Sequence, residues 1–305
     1  MGELYRAVWR VTGQEQILLI VLSLLVAGLA AVPLKFQQLA INSLVERGDV
    51  RTLAWLCAGF VAAILLSAVL KFLLGLRLSV VGERVILLVR ERLYANQVVD
   101  VARDPDTATP RGTLVTMLAA EAEVVGAFAG SAIATPLLQL GTLASVIGFI
   151  VLSQPWLGIL ALAVVVPQAA IVLGIQHRIN LRVRERVQSL RDASERISRS
   201  DLARIEAEVL ADFEAIYSTR RRIFMLKLSS KMALSAISAL GKVGILFLGG
   251  WLVLQGRSDV GTIVASLSGL ARIEGPWRDL VSFFRSASTV RVKYAMLLPA
   301  ISTRE

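Results

Sequence analysis

The sequence predicts an all-α membrane protein: six long transmembrane helices, with two connections extended into water as helical arms. Three observations predict it. Of 305 residues, 55% are hydrophobic and 18% charged, more apolar and less charged than an ordinary soluble domain. Six apolar segments have the roughly 20 residues needed to cross a bilayer. The connections between them alternate in length, and positive charge gathers on the long ones.

The segments run about 16–36, 53–76, 131–153, 156–175, 232–255 and 261–284. Connections 37–52, 154–155 and 256–260 are short, whereas 77–130 and 176–231 hold 54 and 56 residues. The short connections carry three basic residues, Arg47, Arg51 and Arg257; the two tails and the two long connections carry twenty-five. Positive charge is retained in the cytoplasm, so both termini and both long connections are expected there. The net charge of +10 is thus a topology signal, and no nucleic-acid role is expected. One cysteine, Cys57, and one histidine, His177, exclude a disulfide framework and a Cys- or His-based metal cluster.

The chain divides into a cytoplasmic tail at 1–15, a six-helix region at 16–285, and a cytoplasmic end of helix six with its tail at 286–305. Arg6, Arg10 and "GLAA" give the first segment a signal-peptide look, but its apolar stretch Ile17–Leu34 is longer than a signal core. The second segment is expected to run on through 77–102, where Val81, Val85, Leu88 and Leu93 recur at helical spacing. Residues 112–140 read as one helix returning to the membrane. Between them "RDPDTATPRG", 103–112, is dense in turn residues. The second arm descends over 176–200 and ascends over 208–231, with Ser200 and Asp201 available as caps at its tip. Arms of about 25 residues reach about 37 Å.

The sixth segment is unusual. After "GTIVASLSGLA" come Arg272, Glu274, Arg278 and Asp279, with Pro276 among them. At 1.5 Å per residue, Arg272 and Glu274 lie roughly 17–20 Å from Gly261, past the midplane of a ~30 Å core. A charge there must be paired or face a water-filled cavity. Glu274, Arg278 and Arg285 share one helix face; Arg272 and Asp279 share another. Lys242 in the fifth segment sits thirteen residues before Gln255, and Glu274 thirteen after Gly261, so the two are expected at matching depth. Three readings stand: a buried pair that sets how helices five and six pack; a polar transport pathway of Lys242, Arg272, Glu274 and Arg278, with a kink at Pro276; or snorkelling without a role, for Arg278 and Arg285 nearer the cytoplasm. Gln139, Pro167 and Gln168 are weaker lining candidates. Lys35 and Lys71 are expected to snorkel, and His177 to sit at an interface.

Local sequence resembles the type-1 transmembrane domain of ABC exporters. "GTLVTMLAAEAEVV" (112–125) is similar to the family's segment after its first coupling helix, with Glu121 where Asp is usual. "EVLADFEAIYSTRRRIF" (208–224) is similar to the stretch after the second, and "GTIVASLSGLARIEGPWRDLVSFFRSASTVRVKY" (261–294) to the sixth helix. The phosphate-binding pattern G-x-x-x-x-G-K-[ST] is absent, and so no nucleotide-binding domain is expected in this chain. The resemblance implies coupling-helix tips at Asp104, Pro105 and Asp106 and at Asp201, Leu202 and Arg204, where a separate ATPase subunit or a fused half-transporter carrying ATP and magnesium would dock. It implies a homo- or heterodimer in a plasma membrane, such as a bacterial inner membrane, in contact with lipid. The expected function is the permease subunit of an ABC-type exporter, with no enzymatic or cofactor chemistry of its own. The alternatives are an ion-gradient-driven transporter with this fold, in which Glu274 carries the proton, and a non-transporting regulatory or degenerate half-transporter.

Overall fold

The computed structural model describes residues 2–46, 48–103, 111–175, 178 and 206–301. Every regular element among them is helical: α1 (Gly2–Leu29), α2 (Val32–Val45), α3 (Val50–Arg103), α4 (Arg111–Thr116), a π-helical turn (Met117–Glu121), α5 (Ala122–Ser131), α6 (Ala134–Ser153), α7 (Pro155–Ile175), α8 (Glu206–Leu254) and α9 (Val260–Ile301).

Among the described residues, five segments are long and apolar enough to cross a membrane: Thr12–Val45, Val50–Arg103, Gly112–Ser153, Pro155–Ile175 and Phe213–Leu254. They contain the first five predicted spans. The sixth is helical, within α9, but does not join this set; Arg272, Glu274, Arg278 and Asp279 remove the uninterrupted apolar stretch that a lipid-facing helix needs.

Several boundaries differ from the sequence reading. The first span breaks at Ala30–Ala31 and resumes as α2 with a proline in its first turn, a place where the missing N–H costs nothing. The connection expected at 37–52 shrinks accordingly, because α2 continues to Val45. The expected single helix 112–140 is interrupted twice, by the π turn and by a break at Ala132–Ile133. In the π turn, Arg90 Nε donates to the Leu118 carbonyl at 2.8 Å. Within α1, Thr12 leaves helical geometry (φ −128°, ψ 20°), and Gln16 Nε2 there donates to Thr12 Oγ1 at 3.2 Å and to the Ala129 carbonyl at 3.3 Å.

The extension of the second span is as expected. α3 is one helix of 54 residues, about 80 Å long at 1.5 Å per residue, far beyond a ~30 Å hydrocarbon core.

The chain forms two compact units, one of Met1–Gly158 with Gly249–Glu305, the other of Ile159–Leu248. In the first, α3 and α5 approach closely because small residues meet: a Cβ on Gly130 would lie 2.9 Å from the Gly82 nitrogen, and one on Gly126 would lie 2.8 Å from the Ile86 nitrogen. Residues without a bulky side chain at such contacts let the two helix backbones approach closely. One core joins α3, α5 and α9 through Val85, Leu93, Val125, Phe128, Phe283 and Leu297; another joins α1, α3 and α6 through Leu19, Val26, Leu74 and Ala134. In the second unit, Gln168 of α7 donates Nε2 to Ser238 Oγ of α8 at 2.9 Å, both buried.

Candidate functional site

The first unit holds a cavity of about 620 Å³ between α5, α6 and α9. Three hydroxyls of α9, Ser282, Ser286 and Thr289, line one wall; spacings of four and three residues place them on one helix face. Phe128 of α5 stacks on Phe283 of α9, centroids 5.4 Å apart, and Phe284 meets Phe283 edge-on at 5.8 Å. Phe128 and Phe283 are buried in the core yet still border the cavity, so the pocket has an aromatic floor fixed by packing. Two charged residues border it, Asp279 and Arg285. Gln139 of α6 donates Nε2 to Asp279 Oδ2 at 3.2 Å, which orients the carboxylate. Apolar walls, a few hydroxyls and two opposite charges suit a ligand that is itself part apolar and part charged.

The other end of α9 is closed. Asp259 precedes the helix, and its Oδ1 accepts from the Thr262 N–H at 2.6 Å, an N-cap bond to the third residue of the helix. Asn42 Oδ1 of α2 takes the Gly261 N–H at 2.8 Å, so a second orphan donor is satisfied from a neighbouring helix. Gln38 Nε2 donates to Thr262 Oγ1 at 2.6 Å, both buried, and Lys35 Nζ donates to Gln38 Oε1 at 3.0 Å. A Cβ on Gly261 would collide with the Gln38 carbonyl oxygen and the Asn42 side chain. Burial acts to raise the pKa of Asp259, but hydrogen bonds from Asn42, Thr262 and Gln38 outweigh it and hold the carboxyl below its usual value. Nearby, Gln154 Nε2 donates to the Arg257 carbonyl at 3.1 Å, tying two short connections together.

The residues expected to form the pathway distribute differently. Arg272, Glu274 and Arg278 lie on α9 of the first unit, are exposed, and do not line the cavity. Lys242, on α8, belongs to the second unit and is exposed as well. α9 remains helical through Pro276. Gln139 does reach the cavity, through Asp279. Gln168 is used in packing, and Pro167 is exposed. Lys35 reaches Gln38. Asp104, Pro105, Asp106, Asp201, Leu202, Arg204 and His177 lie outside the described residues.

Sequence reasoning missed the aromatic floor and the hydroxyl stripe. The stripe was readable from Ser282, Ser286 and Thr289; the floor was not, since it joins positions 128 and 283.

Comparison with known proteins gives these helices a family. Residues 17–200 match the family model of the ABC transporter transmembrane region. The chain belongs to that family: it is a membrane-spanning part of an ABC transporter. A multidrug efflux ATP-binding/permease protein of Mycobacterium bovis (strain BCG / Pasteur 1173P2) is 31% identical over 90 residues, and its counterpart in Mycobacterium tuberculosis (strain ATCC 25618 / H37Rv) matches to the same extent. The alignments cover 30% of this chain and 8% of each relative.

Proposed function

We propose that the chain is the permease half of an ABC-type exporter, moving a substrate across the membrane with energy from an ATPase on a separate subunit or a fused partner half. The observation that carries this is α3. An apolar span continues without a break into a charged helix of 54 residues in all, in a chain whose family is that of the ABC transmembrane region. A rigid rod of that length carries force from outside the membrane to the membrane segment. The relatives, named as ATP-binding/permease proteins, support an ATPase acting with this fold. In this reading residues 16–285 form the membrane domain, 1–15 and 286–305 are cytoplasmic, and a second half completes the pathway in the plasma membrane. Lys242, Arg272, Glu274 and Arg278 face water or that second half, because a charge left in lipid costs about 2.5–3.5 kcal/mol on insertion scales. The tips holding Asp104, Pro105, Asp106, Asp201, Leu202 and Arg204 receive the ATPase.

The test is gentle extraction from the native membrane, identification of stoichiometric partners, and reconstitution. A co-purifying ATPase whose hydrolysis becomes uncoupled from transport in Asp104→Lys or Asp201→Lys supports the reading. ATP-driven transport indifferent to both changes, or a complex with no ATPase, overturns it.

A further inference from the structure

We infer that the cavity of α5, α6 and α9 binds an amphiphile with a fixed order of charges: an apolar tail on the membrane side, then a cationic group, then an anionic group. This names a substrate class for the proposed permease and rests on that reading for the placement of α9 in the membrane.

The order comes from α9. Its apolar part is Gly261–Ala271, so Asp279 lies nearer the membrane centre and Arg285 further out. At 1.5 Å per residue Asp279 is about 27 Å and Arg285 about 36 Å from Gly261, on either side of the edge of a ~30 Å core. Both border the same cavity, with charges offset by about 9 Å along the axis. A carboxylate at the edge of hydrocarbon gains most from an ammonium group, and Gln139 already holds it in place. The Phe283–Phe128 floor between the two charges suits the face of the cation and the short alkyl link that joins it to the acid. At about 620 Å³ the cavity falls within the range of about 300–1,000 Å³ usual for small-molecule sites.

The charge order also provides selectivity. A zwitterionic glycerophospholipid runs tail, phosphate, ammonium. Entering tail-first from the membrane, it would set phosphate against Asp279 and ammonium against Arg285. The surrounding bilayer is thus a poor ligand, and a betaine-like amphiphile, running tail, ammonium, acid, is a good one. Rejection by like charge is a recurrent route to specificity.

The test uses the full chain in lipid nanodiscs, with protein-free discs subtracted. Radiolabelled dodecyl sulfobetaine (tail, ammonium, sulfonate) is displaced by dodecylphosphocholine (tail, phosphate, ammonium), dodecyltrimethylammonium or dodecyl sulfate, all below micellar concentration. Sulfobetaine should bind about tenfold tighter than phosphocholine, the size expected of one charge-assisted contact. Asp279→Asn and Arg285→Gln should each remove most of that preference, and the double exchange Asp279→Arg with Arg285→Asp should invert it. Inversion is a gain that an unfolded protein cannot produce; if the exchange does not fold, the single changes decide. Equal binding of the two zwitterions, or a preference unmoved by the folded variants, overturns the inference. The measurement needs no ATP. Loss of charge-order selectivity with ATP-driven transport intact would sink this inference alone. Charge-ordered binding without ATP-driven transport would sink the permease reading alone.

Discussion

The two ends of α9 are built in opposite ways. Its first two turns are locked: Gly261, Thr262, Ile263, Ala265 and Ser266 are all buried, and side chains of Asp259 and of α2 take up free N–H groups of the first. From Asp279 to Val290 the same helix borders an open cavity, with charges and hydroxyls left for something else to meet. The difference lies in what each polar group bonds to. At the closed end polar groups bond mainly to each other, which yields rigidity. At the open end Asp279 and Arg285 border unfilled space, and Gln139 reaches one of them.

Removing the aromatic floor of the open end is the largest perturbation. Phe283→Ala takes away a buried ring and should destabilise the first unit by about 3–5 kcal/mol, seen as a large fall in melting temperature in nanodiscs. A small fall would mean that the aromatic floor is not part of the core. Gly261→Val attacks the closed end. Its new side chain meets the Gln38 backbone, so a loss of about 1–3 kcal/mol is expected from forced displacement; an unchanged melting curve would show that α2 yields freely. Gln38→Met should cost about 1 kcal/mol by removing the amide donor of the buried Thr262 hydroxyl; an unchanged melting curve would show that the contact with Asp259 alone satisfies that hydroxyl. At the open end, Ser286→Ala should change stability by less than about 0.5 kcal/mol; a larger loss would erase the contrast between the ends.

The smallest effect is in acid. Asp259 has its folded pKa below the unfolded value near 4. Its contribution is present above that value and lost as pH falls through the folded pKa. The side chain is only partly buried, so solvent screening keeps the term small. Wild type should therefore lose slightly more stability than Asp259→Asn between neutral pH and the region below pH 4. Parallel losses would show that the carboxylate charge does not tie the clasp.

Much of this molecule was legible as a string. Apolar stretches near 20 residues announce spans, because unsatisfied backbone groups in lipid force them into helices. The charge-rich but periodic 77–102 announces the continuation of α3. The break before α2 is written in Pro33, and the cap of α9 in Asp259 and Thr262. The π turn had no such mark: its Leu118 carbonyl is met by Arg90, twenty-eight residues away, and local propensity carries no information about that donor.

The sequence by itself determined the class, the places of the first five spans, and which residues of α9 share a face, since these follow from hydropathy and a 3.6-residue period. It placed Glu274, Arg278 and Arg285 on one face but could not tell which part of that face meets a neighbour. Only the tertiary structure decided that Arg285 and Asp279 border a cavity while Arg272, Glu274 and Arg278 do not. The reason is physical: the period fixes angles around one axis, whereas a cavity depends on where α5 and α6 cross it. Those crossings are set by the glycine contacts between α3 and α5 and by the Phe128–Phe283 stack, contacts between residues far apart in the chain.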